Sequence, residues 1–103
     1  MLPEDMIAEA MEKSNPIEEV FALVEAGDVD MRDVGGFIAD NADNSWLHPW
    51  LSEGFAYIDM GNNVALAASW DDQGFWEVWE TTVKEAEEEI AERETLDAEG
   101  EEE

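Results

Sequence analysis

Cysteine is absent, and basic residues nearly so: the 103-residue chain holds four Lys and Arg and one His against twenty-nine Asp and Glu. Without cysteine there is no disulfide framework, thiolate metal site or thiol redox chemistry, so packing alone must hold the fold. Long apolar runs are also missing. No segment approaches the ~18 to 20 apolar residues of a membrane span. The first ten residues carry Glu4, Asp5 and Glu9 without the basic and apolar regions of a signal peptide. The expectation is a soluble, cytoplasmic protein, in the host cell's cytoplasm if the chain is viral. Bases this scarce, only Lys13, Arg32, Lys84 and Arg93, leave almost nothing to neutralise phosphates, which argues against direct nucleic-acid binding. The same imbalance repels anionic membranes.

What the chain does have is apolar material: 45% of residues, with five Trp, four Phe and one Tyr, unlike acidic segments that stay disordered. At this length one domain with one core is expected. Leu2, Met6, Ile7, Ala10 and Met11 recur at helical spacing behind Pro3, and this helix ends near Lys13 and Ser14. Asn15 is placed to cap a second helix with Pro16 first and Glu18 as its capping-box partner; Ile17, Val20, Phe21 and Val24 form its stripe, and Gly27 ends it. A third helix, weakened by Gly35 and Gly36, starts after Asp28 or Asp30 and buries Met31, Val34, Phe37 and Ile38. The segment Asn41 to Gly54, around His48-Pro49, reads as a short helix or ordered loop.

From Gly54 the period changes. Phe55 to Met60, Val64 to Trp70 and Phe75 to Thr82 are rich in β-branched and aromatic residues. They are separated by Gly61-Asn62-Asn63 and Asp71-Asp72-Gln73-Gly74, residues suited to tight turns. The reading is a three-stranded antiparallel meander. Val64, Leu66, Ala68 and Trp70 share one face of the middle strand and Ala65, Ala67 and Ser69 the other; the small second set permits close helix packing, so either face could be the core. Thr82 and Glu85 form a capping box for a last helix running to about Leu96, with a thin stripe of Val83, Ala86, Ile90 and Leu96. The fold class is therefore α+β: one domain over 1–96, with short N-terminal helices, the meander and a C-terminal acidic helix, followed by a disordered acidic tail at 97–103.

The net charge is −25, where a small domain is comfortable with a magnitude of about 2 to 8. Such an excess raises the free energy of the compact state by self-repulsion, so something must select for it. Charge is densest at the end: residues 83–103 hold eleven acids and two bases. In the last helix the like-charge pairs Glu85/Glu88, Glu85/Glu89 and Glu88/Glu92 each cost roughly 0.2 to 0.5 kcal/mol, and Lys84/Glu88 and Glu89/Arg93 offset only part of this. Duplex DNA carries one charge per ~1.7 Å of axis, so an acidic helix approaches the density that a phosphate-binding groove expects.

In composition and layout the chain resembles phage-encoded DNA-mimic inhibitors of the anti-restriction and anti-CRISPR class: small, cysteine-free, Trp-bearing, and ending in Glu99-Gly100-Glu101-Glu102-Glu103. The likeness rests on no motif and transfers no residue roles. It implies a non-enzymatic inhibitor that occupies the DNA- or RNA-binding groove of a CRISPR effector or restriction enzyme. Its partner would be a basic nucleic-acid-binding protein. The contact residues expected for that role are Glu85, Glu88, Glu89 and Glu92, with Asp71, Asp72, Glu77 and Glu80 as a second patch. Two alternatives use the same electrostatics. One is a halophilic protein whose acidity is salt adaptation, since at 1 M the Debye length is ~3 Å and the repulsion is screened. The other is an acidic adaptor or chaperone for basic proteins.

Competing chemistry is poorly supported. Asp28, Asp30 and Asp33 suggest a calcium loop, but Arg32 stands where the pattern needs an acid and Ala39 where it needs Glu, which favours caps and turns. His48 has no second His or Cys for a transition metal, and Ser45, Ser52, Asp43 and Glu53 match no triad spacing. No catalytic, metal or cofactor site is expected. Trp76 and Trp79 point to opposite faces of their strand, so one is exposed, as an interface hot spot would be, unless the sheet is covered on both sides.

Overall fold

A computed structural model describes the backbone of residues 2–102 and the side chains of residues 2–95. Helices α1 (Pro3–Met11), α2 (Pro16–Ala26) and α3 (Met31–Asn41) precede strands β1 (Asn44–Leu47), β2 (Gly54–Gly61), β3 (Val64–Trp70) and β4 (Trp76–Thr82), and α4 (Val83–Glu102) follows. The strands form one antiparallel sheet in the order β1-β2-β3-β4. The α+β class is as the sequence indicates, but the sheet has four strands rather than three.

Local chemistry explains most boundaries. Pro3 and Pro16 occupy the first turns of α1 and α2, where the missing N–H costs nothing. Gly27 ends α2 at φ +81°, a conformation that disfavours side chains. Asn15 does not cap α2 through its side chain, contrary to expectation; at φ −122° and ψ 71° it lies outside the extended conformation an N-cap usually takes. The full capping box belongs to α3. There the Asp33 N–H donates to Asp30 Oδ1 at 2.8 Å and the Asp30 N–H to Asp33 Oδ2 at 3.1 Å. At α4 the Glu85 N–H donates to Thr82 Oγ1 at 3.0 Å, while the Glu85 carboxylate accepts from the Thr81 hydroxyl at 2.8 Å. The helix continues to Glu102 instead of ending near Leu96. The side chains of the expected tail at 97–103 lie outside the described residues.

The β2–β3 turn takes positive φ at Gly61, Asn62 and Asn63, as its composition requires. Phe75, expected to open the last strand, instead lies in the β3–β4 turn, and β4 begins at Trp76. The segment expected to be a short helix or loop contains β1, which pairs Trp46 with Phe55 and Asn44 with Tyr57. Four residues are too few to show a period of two, so this strand is defined by the free edge of β2 it completes.

Both faces of the sheet are covered. On one, Ala56, Leu66, Ala68 and Val78 pack with Ile7, Val20, Val34 and Ile38 of α1–α3. On the other, Phe55, Tyr57, Ala65 and Ala67 pack with Trp46 and with Ala86 and Ile90 of α4. The β3 alternation, which left the choice of core face open, is thus resolved by burying both. Gly35 has a packing role: a Cβ there would run into the Trp76 indole, so the glycine in α3 allows helix and strand to approach closely.

Candidate functional site

Helix α4 lies across all four strands. Ala86 and Ile90 are one turn apart and buried, and Arg93 follows on the same side. The opposite arc carries Glu85, Glu88 and Glu92, which fall within ~60° of one another at 3.6 residues per turn, and all three are exposed. Glu87 and Glu94, also exposed, flank the buried stripe on its other side. From Glu85 to Glu94, about 15 Å of axis, the five exposed acids on both sides of the stripe supply one carboxylate per ~3 Å, against one charge per ~1.7 Å on duplex DNA.

Glu89 does not belong to that arc. It is half-buried and its Oε1 accepts from Arg93 Nε at 3.0 Å. The Arg93 guanidinium in turn lies 5.3 Å from the Trp46 ring centroid and 5.5 Å from that of Phe55. Cation, carboxylate and two rings form a clamp between α4 and the sheet. The Glu89/Arg93 spacing was visible in the sequence, but its engagement with Trp46 and Phe55 was not.

The second expected patch is divided by the sheet. Glu77 is on the α4 side and shares a depression with Glu53, Asp71, Phe75 and Arg93. Asp71 is structural: its Oδ1 accepts from the Gln73 and Phe75 N–H groups, each at 3.0 Å. Asp72 is exposed in the same turn. Glu80 is in register with Leu66, on the face toward α1–α3, and lines a depression with Glu18, Glu25 and Phe21 of α2. The eight expected residues therefore do not form one surface. Glu85, Glu88 and Glu92 lie together, Asp71, Asp72 and Glu77 near the β3–β4 turn, and Glu80 elsewhere.

Other polar groups have structural duties. Asp30 and Asp33 are committed to the α3 cap, and among the described residues no His, Asp and Glu group of three or more is arranged to hold a metal. His48 Nδ1 accepts from the Trp50 N–H at 3.1 Å and the Leu51 N–H at 3.0 Å, which organises the β1–β2 loop. The Tyr57 hydroxyl titrates above its ordinary value, because burial disfavours the phenolate and Glu87 of α4 repels it, with smaller repulsion from Asp43 and Asp59; a hydrogen bond with Asn44 acts in the opposite sense. Among the described residues no helix is long and apolar enough to cross a membrane.

Trp76 and Trp79 are both half-buried because both faces of the sheet are covered. Trp76 stacks on Trp70 with centroids 4.9 Å apart, and Trp79 packs against Phe55 at 5.8 Å. The exposed indole is Trp50, in the β1–β2 loop, a position that strand alternation does not reveal.

The architecture is a three-layer α+β arrangement: three helices, a four-stranded antiparallel sheet and one acidic helix. No protein-family model, curated protein or solved structure matches the chain.

Proposed function

We propose that this protein is a non-enzymatic inhibitor that acts in the cytoplasm of a host cell by presenting α4 to a nucleic-acid-binding groove of a CRISPR effector or restriction enzyme. The observation that carries this reading is the exposed arc of Glu85, Glu88 and Glu92 on a helix fixed to the sheet by its opposite side. Carboxylates displayed along the helix at roughly half the charge density of a duplex release counterions on binding as a polynucleotide does, giving fast, salt-sensitive association. Competition with duplex DNA for such an enzyme is the direct test. The chain should displace the DNA, and Glu85→Lys/Glu88→Lys/Glu92→Lys should abolish displacement with the circular dichroism spectrum unchanged. Equal competition by this variant rules out α4 as the contact.

A second reading has its own support. Exposed acids also cover α1 and α2, including Glu4, Glu9, Glu18, Glu19 and Glu25, as salt adaptation would place them. Unfolding midpoints between about 0.1 and 3 M salt separate the two. A fold stable in dilute buffer favours the inhibitor, and one that needs molar salt favours the halophilic protein.

A further inference from the structure

Among the described residues, the largest apolar exposures apart from Leu2 belong to one end of the sheet. Leu47 is 67% exposed, Trp50 72%, Leu51 44% and Phe75 68%. Leu47 pairs with Gly54, Gly54 with Trp70, and Trp70 with Trp76, so the β1–β2 and β3–β4 loops leave the sheet side by side. Exposed side chains of this size on neighbouring loops, on a chain that buries its other tryptophans wholly or in part, mark a contact surface.

The chain's own side chains hold this surface in shape. His48 fixes the backbone at Trp50 and Leu51, its ring contacting the Trp46 and Trp50 rings edge-on at 5.8 and 5.6 Å. Asp71 fixes the backbone at Phe75. A loop ordered before binding loses less entropy when bound.

Charge selects the occupant. The depression that Phe75 lines is bounded by three carboxylates, Glu53, Asp71 and Glu77, and by one cation, Arg93, whose charge is paired with Glu89; Asp72 is next to it. A second copy of a chain with net charge −25 is repelled, as is an anionic lipid surface. An amphipathic cationic segment satisfies both parts of the site, its apolar side chains on Trp50 and Phe75 and its ammonium or guanidinium groups on the surrounding carboxylates.

We propose that the β1–β2 and β3–β4 loops form a docking surface for a basic, apolar-bearing segment of a protein partner, separate from the α4 arc. This deepens the inhibitor reading and rests on its requirement for a basic partner. The α4 carboxylates supply salt-sensitive attraction, and the loop end supplies the contact that polyanion mimicry alone lacks.

Two synthetic peptides of equal length and charge serve as probes, one alternating lysine with leucine at helical spacing and one with serine in place of leucine. At ~0.5 M salt, where long-range attraction is screened, the lysine–leucine peptide should bind about tenfold more tightly than the lysine–serine peptide and shift the tryptophan emission to the blue. Trp50→Ser/Phe75→Ser, at exposed positions, should remove that advantage while leaving lysine–serine binding and the circular dichroism unchanged. Phe75→Ser alone, tested in the same way, should remove part of it. Glu85→Lys/Glu88→Lys/Glu92→Lys should weaken both peptides and preserve their ratio. If the triple variant binds normally, the α4 reading fails while the loop proposal stands. The loop proposal is overturned if the preference is absent or survives Trp50→Ser/Phe75→Ser. It is equally overturned if the loops instead mediate concentration-dependent self-association in sedimentation, or binding to zwitterionic vesicles.

Discussion

The two faces of the sheet are built on different terms. Toward α1–α3, β3 contributes Leu66 and Ala68 to a core filled by Ile7, Val20, Val34 and Ile38, all fully buried aliphatic side chains on three helices. Toward α4, the same strand contributes Ala65 and Ala67, and the helix buries only Ala86 and Ile90 among its described residues. The rest of that interface is aromatic and ionic, with Trp46, Phe55 and Tyr57 on the sheet and the Arg93–Glu89 pair on the helix. One face thus relies on apolar volume. The other holds a self-repelling helix with a narrow stripe and a cation placed over two rings, with Glu88 and Glu92 exposed on its outer side and Glu85 exposed beside them, its carboxylate on the Thr81 hydroxyl.

Leu66→Ala makes the largest opening in this comparison, because the side chain is fully buried in the α1–α3 core. It should lower stability by about 2 to 5 kcal/mol, seen as a single cooperative loss in denaturant unfolding. A loss below about 1 kcal/mol would mean that this face is not the principal core.

Arg93→Ala tests the clamp on the other face and should cost about 1 kcal/mol, with part of the loss appearing as early release of α4. Hydrogen exchange is the measurement: α4 amides should lose protection while those of β3 keep it. Arg93→Lys should restore only part, since an ammonium does not reproduce the planar guanidinium contact with the rings. Uniform loss of protection in both elements would show that the two faces unfold as one unit.

The smallest effect concerns Tyr57. Its folded pKa is raised above the ordinary 10.0 by burial and then by Glu87, so the folded state retains the proton where the unfolded state loses it. The associated stability is fully present below pH 10 and is lost as the pH rises through the folded-state value. Absorbance titration of the phenol should give a midpoint above 10, shifted down toward it in Glu87→Gln and further in Arg93→Ala, where the covering helix is loosened. A midpoint at the ordinary value in the parent protein would mean that α4 does not cover this residue.

Elements with local signatures were legible in the sequence. Gly27, the start of α3 after Asp28 or Asp30, the Thr82 cap and the Gly61-Asn62-Asn63 turn act within a few residues of themselves, whereas the reciprocal Asp30/Asp33 box was found only in the structure. β1 was not legible, because four residues pair with β2 only once Asn41 to Gly54 has folded back. Gly35, which reads as a weakness in a helix, is explained by Trp76, some forty positions away. Of the expected contact acids, Glu85, Glu88 and Glu92 were placed together by helical periodicity alone. Glu89 was withdrawn by Arg93 and the aromatic rings beneath it, and Glu80 by strand alternation that sent it to the opposite layer from Glu77.

By itself, the sequence determined the charge, the lack of thiol chemistry, the α+β class and most helix and turn positions, because composition, period and capping act at short range. Tertiary structure decided that both faces of the sheet would be covered, that Trp50 and Phe75 rather than Trp76 or Trp79 would meet solvent, and that the acids would divide into separate surfaces. Those outcomes depend on which distant segments bury one another, and no single stretch of chain carries that information.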